Sequence, residues 1–291
     1  MHFVEAKGLL HGGSGFWDMN VYRGCTHGCV YCDSRSRCYQ FTHDFEDIEV
    51  KRNAPELLER ALRSRRKPCM IGTGSMSDPY MHCEERLGLT RQCLEIILRY
   101  GFGAVLLTKS DRVLRDIDLL EAINRKTKCV VQLTLTTMDD GLCAILEPNV
   151  CNTRRRVEVL KTLQSRGIPT VVWMTPILPF INDTEENVSA LLAACVETGV
   201  KGVVTFGMGL TLREGDREYY YAALDRHFPG MKERYALRYG NAYELPSPRQ
   251  DRLMALLQTT CRENGILCTP EECFAYINAF PKKYEQISMF D

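Results

Sequence analysis

The sequence predicts an α/β fold, a partial TIM barrel of about six parallel βα units with a C-terminal helical extension. Short apolar, β-rich runs alternate with longer amphipathic stretches through the middle of the chain, the pattern of consecutive βα units around a parallel sheet. A length of 291 residues is normal for a single barrel of this kind. Glycines stand where several of the amphipathic stretches end, as is common at helix C-termini.

Six apolar runs have the length and composition of buried strands. They are Asp18 to Tyr22, Cys69 to Thr73, Ala104 to Thr108, Val130 to Leu135, Thr170 to Met174 and Gly202 to Phe206. The amphipathic stretches that follow them predict helices. These are Pro55 to Arg65, Glu85 to Tyr100, Arg112 to Asn124, Thr153 to Arg166, Thr184 to Glu197 and Asp216 to Arg226.

The alternation sets the expected domain organisation. We expect an N-terminal segment over residues 1–16, the barrel over residues 17–228, and a C-terminal extension over residues 229–291 that covers the barrel. Past residue 228 the alternation stops, and a proline-rich turn precedes one more predicted helix, Arg249 to Asn264.

Charge and cysteine content narrow the class of protein. Lysine plus arginine equal aspartate plus glutamate at 37 each, so no long-range field favours a nucleic-acid backbone. We interpret two basic runs, Arg63 to Lys67 and Arg154 to Arg156, as solvated helix ends. With 14 cysteines, no recognisable secretory segment and no apolar run near the ~20 residues that cross a bilayer, we expect a cytoplasmic protein without a membrane span.

Three cysteines lie within eight residues, directly after the first predicted strand. The C-x3-C-x2-C spacing of Cys25, Cys29 and Cys32 suits three thiolates around one [4Fe-4S] cube, with one iron left without a protein ligand. Structural zinc is the alternative, but it usually takes four ligands from paired motifs, and no second C-x2-C pair is present. Strand C-termini converge at the mouth of a parallel barrel, so we expect this loop to lie there.

The loop resembles that of the radical S-adenosylmethionine (SAM) superfamily, which has this spacing and an aromatic residue before the third cysteine, as Tyr31 stands before Cys32. The resemblance implies that SAM chelates the open iron and is cleaved reductively to methionine and a 5'-deoxyadenosyl radical. That radical then takes hydrogen from a substrate. It also implies an external reductant such as flavodoxin or ferredoxin.

The ends of the next strands supply candidate SAM contacts. The glycine-rich turn after the second strand can approach a ligand closely, and the resemblance places the SAM amino group there. Lys109 after the third strand is a point charge for the SAM carboxylate. Hydroxyls at later strand ends are candidates for the ribose and adenine. The predicted cofactor-binding residues are Tyr31, Gly72, Thr73, Gly74, Ser75, Asp78, Lys109, Thr134, Thr136 and Thr175.

Further stretches resemble the spore photoproduct lyase group within that superfamily. They are Arg23-Gly-Cys25, Ser77-Asp78, Thr108-Lys109, Glu147-Pro148 before an arginine-containing helix, and Pro176. In that group a cysteine after the second strand returns hydrogen to the product radical, and its position falls on Ser75 here. Since a hydroxyl O–H is too strong to donate in this way, Cys38 and Cys83 are the candidate hydrogen donors, with Cys38 preferred.

The leading hypothesis is therefore a radical SAM enzyme, lyase-like or oxidoreductase, with an unidentified substrate. A nucleotide or nucleic-acid substrate stays open, although the neutral charge does not favour it. The alternative is a non-catalytic iron-sulfur or zinc module that acts with a protein partner. The tail also holds Cys261, Cys268 and Cys273, whose wide spacing leaves a second cluster an open and less favoured idea.

Overall fold

The computed structural model describes residues 1–13 and 15–281, and its centre is a sheet of seven strands. Six of these strands are parallel and lie side by side in chain order, while the seventh pairs antiparallel with the first of them at one edge of the sheet. The predicted α/β partial barrel of six parallel strands is confirmed. The last ten residues of the predicted extension, 282–291, lie outside the described residues.

Twelve strands are described, most of them short. In chain order they are β1 His2–Val4, β2 Leu10–Gly13, β3 Phe16–Met19, β4 Tyr22–Arg23, β5 Glu49–Lys51, β6 Met70–Thr73, β7 Gly103–Thr108, β8 Cys129–Thr134, β9 Thr170–Trp173, β10 Gly202–Val204, β11 Gly209–Thr211 and β12 Glu244–Pro246.

Eleven α-helices are described. They are α1 Ala54–Arg63, α2 Glu84–Leu87, α3 Leu89–Tyr100, α4 Ile117–Lys126, α5 Asp140–Leu146, α6 Thr153–Ser165, α7 Glu185–Glu197, α8 Asp216–His227, α9 Met231–Tyr239, α10 Gln250–Glu263 and α11 Pro270–Asn278. No helix of this described part is both long enough and apolar enough to cross a membrane.

The first predicted strand is wrong in its bounds. The predicted run is two strands in different sheets, since β3 belongs to the main sheet and β4 to a three-stranded sheet of order β1-β5-β4. β1 runs parallel to β5 and β4 antiparallel to it. The cysteine loop therefore follows this small side sheet and not a barrel strand.

Two predicted helices begin differently from the prediction. The stretch predicted as one helix from Glu85 to Tyr100 is divided at Gly88. This glycine, with a φ of 61°, caps the end of α2 and the start of α3. The stretch predicted from Arg112 begins as a 3-10 turn over Asp111–Asp116, and the α-helix proper starts at Ile117. A left-handed glycine cannot continue an α-helix without a break, and the sequence pattern alone does not show which glycines are left-handed.

The two faces of the main sheet bury different sets of side chains. Alternate residues such as Ile71, Leu106 and Val131 point to the outer helices and form the main core. Their neighbours, Val105 and Val130 among them, point to the inside of the barrel and pack against Cys273 and Ile277 of α11. Helix α11 thus fills part of the barrel interior, and the space that remains lies at the carboxyl ends of the strands.

Candidate functional site

The cysteine loop begins at a glycine that cannot carry a side chain. Gly24 has a φ of 88°, and an added Cβ would lie 2.3 Å from the carbonyl oxygen of Phe45. The backbone N–H of Cys25 donates to that same oxygen at 3.1 Å. This close approach turns the chain out of β4, so that Cys25, Cys29 and Cys32 line one cavity of about 590 Å³.

The loop is attached to the segment that follows α5. The N–H of Val30 donates to the Leu146 carbonyl at 2.9 Å, and the N–H of Asn149 donates to the His27 carbonyl at 3.1 Å. The Asn149 side-chain amide also donates to the Thr26 carbonyl at 2.9 Å. These three hydrogen bonds fix Thr26, His27 and Val30 of the loop against the end of α5 and the residues after it.

A buried ion pair lies beneath the loop. Arg156 and Glu147 are both fully buried, and the guanidinium donates to the carboxylate. The interpretation of Arg154 to Arg156 as a solvated run is therefore wrong at Arg156. The second oxygen of Glu147 accepts from the Tyr31 hydroxyl. Burial alone would raise the pKa of Glu147, but the Arg156 and Lys109 charges hold it below its usual value. Arg156 also donates to the Thr134 carbonyl at 2.9 Å, which ties the pair to the end of β8.

Cys29 is buried and Cys25 and Cys32 are half-buried, and burial has the largest effect on the pKa of each thiol. It raises the pKa of Cys25 to about 12, with Asp78 and Cys32 adding to the effect. Burial also raises the pKa of Cys29 and of Cys32, while the Lys109 ammonium opposes this rise at both. Metal coordination deprotonates thiols outright, so these groups suit a bound metal better than a free thiolate.

The spacing of the thiols distinguishes two kinds of metal site. Three sulfurs on one zinc, at about 2.3 Å each, could lie no more than about 4.6 Å apart. Within residues 1–13 and 15–281, the loop thiols do not form a group with all sulfurs within 4.8 Å of one another. A cluster places its thiolates on different irons, so it does not require the three sulfurs to lie this close together. His27, in the same loop, also lines the cavity, and its buried Nε2 has no hydrogen-bond partner. The residues present fit a [4Fe-4S] cluster.

The turn after β6 forms the wall next to the cysteines. Gly74 has a φ of 105°, and a Cβ there would lie 2.0 Å from the Leu107 carbonyl oxygen of β7. Asp78 joins the same two strand ends, because it accepts from the Thr108 hydroxyl at 2.7 Å and from the Lys109 N–H at 2.8 Å. Ser75 donates to Asp18 at 2.6 Å. The turn therefore lies close against β7, and its predicted approach to a ligand stays a prediction.

Lys109 points into the cavity. Its ammonium nitrogen lies 5.8 Å from the centroid of the Tyr31 ring, close enough for a cation–π contact. Burial alone would lower the pKa of Lys109, but Cys29 and Glu147 raise it above its usual value. Lys109 therefore stays a cation beside the cysteines, available to an anionic group.

Seven of the ten predicted cofactor-binding residues line the cavity with the cysteines: Tyr31, Gly74, Ser75, Asp78, Lys109, Thr134 and Thr175. Gly72 and Thr73 line a smaller neighbouring cavity of about 190 Å³ on the inner face of the sheet. Thr136 is buried outside both cavities, and its carbonyl accepts from the side-chain amides of Asn182 and Asn187.

The two predicted hydrogen donors do not line the cavity. Cys38 is exposed, and its sulfur accepts from Arg213 at 3.2 Å. Cys83 is half-buried at the start of α2 and packs on the main core. In the tail, Cys273 is buried and contacts the Val203 carbonyl at 3.7 Å. Its sulfur does not form a group within 4.8 Å with those of Cys261 and Cys268, all of which lie in the described part.

Sequence reasoning missed the far wall of the cavity. Phe206 after β10 and residues 243–246 of the extension line it, together with Gln250. Trp173, Phe206 and Phe274 form an aromatic cluster there, with ring centroids 5.9 to 6.3 Å apart. The carboxyl end of the sixth strand was a usable signal for Phe206. Nothing in the sequence pattern joins Tyr243 to the cysteines.

The model of the radical SAM superfamily matches residues 19–192, more than half of the chain. That superfamily uses a [4Fe-4S] cluster and SAM. An uncharacterized protein of Mycobacterium tuberculosis is 28% identical over 250 residues, which cover 81% of this chain and 71% of that protein.

Two further matches carry names that describe an activity. A radical SAM Nalpha-GlyT isomerase of Pseudomonas phage M6 is 25% identical over 182 residues, 62% of this chain and 36% of that protein. A structure of a spore photoproduct lyase variant with bound AdoMet and dinucleoside spore photoproduct has a TM-score of 0.61. It is 12% identical and covers 87% of this chain and 75% of that chain. The likeness to this structure is one of fold.

The buried ion pair gives a test of stability. We expect Arg156→Met to lower the free energy of unfolding by about 3–5 kcal/mol, because it leaves the Glu147 carboxylate buried without its cation. Arg155→Met is the matched control, since Arg155 is half exposed and its ion pairs lie at the surface. That control should cost less than about 1 kcal/mol. Urea unfolding of the metal-free proteins measures both, and equal midpoints for the two variants would contradict this role.

The turn after β6 gives a second test. Gly74→Ala should lower the melting temperature, because the strained φ alone costs about 1–3 kcal/mol and the Cβ meets the Leu107 carbonyl. Gly8→Ala is the control, since an added Cβ at Gly8 meets no atom within 4 Å. Thermal unfolding followed by circular dichroism compares them, and an unchanged midpoint for Gly74→Ala would show that the turn has room for a side chain.

Proposed function

The chain belongs to the radical SAM superfamily, and we propose that it is an enzyme in which Cys25, Cys29 and Cys32 hold a [4Fe-4S] cluster and the adjoining cavity holds SAM. When bound, this pair of cofactors supplies reductive cleavage of SAM and a radical that abstracts hydrogen from a substrate. The observation that carries the proposal is that three thiols of one loop open into the same cavity as Lys109 and the turn at Gly74.

We assign the cofactor half of the cavity to the strand ends. Lys109 is the cation next to the cysteines, so it is suited to hold the carboxylate of SAM. Gly74 and Ser75 present backbone at the same wall, and Thr134 and Thr175 present hydroxyls at the ends of the next two strands. Asp78 already accepts hydrogen bonds from the Thr108 hydroxyl and the Lys109 N–H. These bonds support a role in joining two strand ends, in addition to any contact with SAM.

The far wall suggests the class of substrate. Trp173 and Phe206 line the cavity, and 65% of the Phe206 side chain is exposed, so a flat face is available at the opening. Aromatic side chains of this kind stack on nucleobases, at about 1–3 kcal/mol per base. Two similar proteins carry names that refer to a dinucleoside photoproduct and to a GlyT isomerase of a phage. We propose a planar, nucleotide-related substrate of modest charge.

The proposed reductant is an external electron donor, as superfamily members generally need one. Flavodoxin and ferredoxin are the expected donors. The alternative of a non-catalytic metal module gains no support from the cavity, because a purely structural site has no use for a space of about 590 Å³ beside its ligands.

SAM cleavage is the direct test. We expect the anaerobically reconstituted protein, given SAM and dithionite, to form 5'-deoxyadenosine that mass spectrometry detects. Cys29→Ala should abolish it, because the cluster loses a ligand. Cys195→Ala is the control, since Cys195 is buried in the main core away from the loop. If iron binds and SAM leaves the cluster spectrum unchanged, the non-catalytic module is the better description.

The photoproduct reaction tests the substrate separately. With dinucleoside spore photoproduct as substrate we expect no repaired product, because Ser75 stands at the position of the lyase's hydrogen-donating cysteine and its hydroxyl is bonded to Asp18. Deoxyadenosine formation in the same vial serves as the positive control. Repair by the unaltered protein would contradict the assignment of Ser75 and indicate that another residue, a thiol, donates the hydrogen.

A further inference from the structure

A second group of metal-binding side chains lies outside the cavity, on the small side sheet. It consists of His2 on β1, Glu49 on β5, and His43 on the irregular segment before β5. One ring nitrogen of each histidine and one carboxylate oxygen of Glu49 all lie within 4.8 Å of one another. β1 and β5 run parallel with His2 opposite Glu49, so the backbone register brings these two together.

Both histidines are held through Nδ1. The Nδ1 of His2 lies 3.0 Å from a carboxylate oxygen of Asp47, and the Nδ1 of His43 lies 2.9 Å from the Asp44 carbonyl oxygen. An acceptor at Nδ1 places the ring proton there and leaves the lone pair of Nε2 free. Histidines that bind metals are held in this way, by a carboxylate or a backbone carbonyl.

The free nitrogen of His43 faces the carboxylate without a hydrogen bond. Its Nε2 is buried and has no hydrogen-bond partner, and the nearest oxygen of Glu49 is 3.8 Å away. That distance is too long for a hydrogen bond. It is also shorter than about 4.2 Å, the largest separation of two ligand atoms that bind one zinc ion at about 2.1 Å each.

We propose that His2, His43 and Glu49 bind a divalent first-row transition ion such as zinc. Two imidazoles and one carboxylate suit zinc and its neighbours in the series, while calcium and magnesium prefer oxygen ligands alone. The side chains of His43 and Glu49 are 16% and 19% exposed, and that of His2 is 40% exposed, so water can complete the coordination.

The ion would fix the segment that carries the cysteine loop. Glu49 pairs across the sheet with Arg23, two residues before Cys25. Phe45, two residues after His43, provides the carbonyl that accepts from the Cys25 N–H. The His43 and Phe41 rings also meet edge to face, 5.6 Å apart. Binding here joins β1, β5 and the segment between them into one unit that borders the cysteine loop.

Zinc binding to the cluster-loaded protein tests this inference, and its outcome does not depend on SAM cleavage. We expect His43→Ala and Glu49→Gln each to bind one zinc ion fewer per chain than the unaltered protein in equilibrium dialysis with elemental analysis. His227→Ala is the matched control, because His227 is an exposed histidine at the end of α8, and it should bind as the unaltered protein does. Asp47→Ala should weaken binding by about 10–100-fold, since it removes the carboxylate that orients His2, together with its ion pair to the Met1 ammonium.

Cobalt substitution separates this site from the cysteines. Cobalt bound by nitrogen and oxygen lacks the intense thiolate-to-metal charge-transfer band that cysteine ligation gives. We therefore expect the cobalt spectrum of the unaltered protein to lack that band. The cobalt spectrum should disappear in His43→Ala. Retention of the cluster absorbance shows that each variant is folded. Equal zinc binding by the unaltered protein and His43→Ala, or a cobalt spectrum with the thiolate band only, would overturn the proposal.

Discussion

The ion pair between Arg156 and Glu147 fixes the position of the cysteine loop relative to the barrel. A buried charge without a partner costs several kcal/mol, so each of these side chains constrains the other strongly. Glu147 accepts from Tyr31 in the loop, and Arg156 donates to the carbonyl at the end of β8. The loop has no regular secondary structure of its own at the cysteines, and this pair connects it to the rigid part of the sheet.

The same pair shapes the charge around the cavity. The Lys109 ammonium and the Glu147 carboxylate lie near Cys29, and Arg156 pairs directly with Glu147. Loss of the thiol protons on metal binding would add negative charge, which bound iron would partly offset. Lys109 then stays available to an anionic ligand, because Arg156 rather than Lys109 is the direct hydrogen-bonding partner of Glu147. Arg156 therefore stabilises the structure through its pair with Glu147, whereas Lys109 faces the cavity.

The parallel strands could be predicted from sequence because both faces of each strand are buried, which gives continuous apolar runs. The position of Lys109 just past β7 follows from where this apolar run ends. The alternation of side chains along β8 follows from the geometry of a strand. β1 (His-Phe-Val) and β4 (Tyr-Arg) are short edge strands of the small side sheet and contain no such apolar run. Their pairing depends on contacts between distant residues, as between His2 and Glu49, and so does the approach of Tyr243 to the cavity.

Two kinds of structure build the two halves of the cavity. The half around Lys109 and Thr134 is made by strand ends, whose positions follow from the hydrogen-bonded sheet. The other half is made by residues 33–34, 206–211 and 243–250, which are mostly irregular or in short elements. Loops at the carboxyl ends of barrel strands can change while the sheet is kept. In the proposed function, the half built by strand ends holds SAM, and the other half, where the exposed ring of Phe206 lies, selects the substrate.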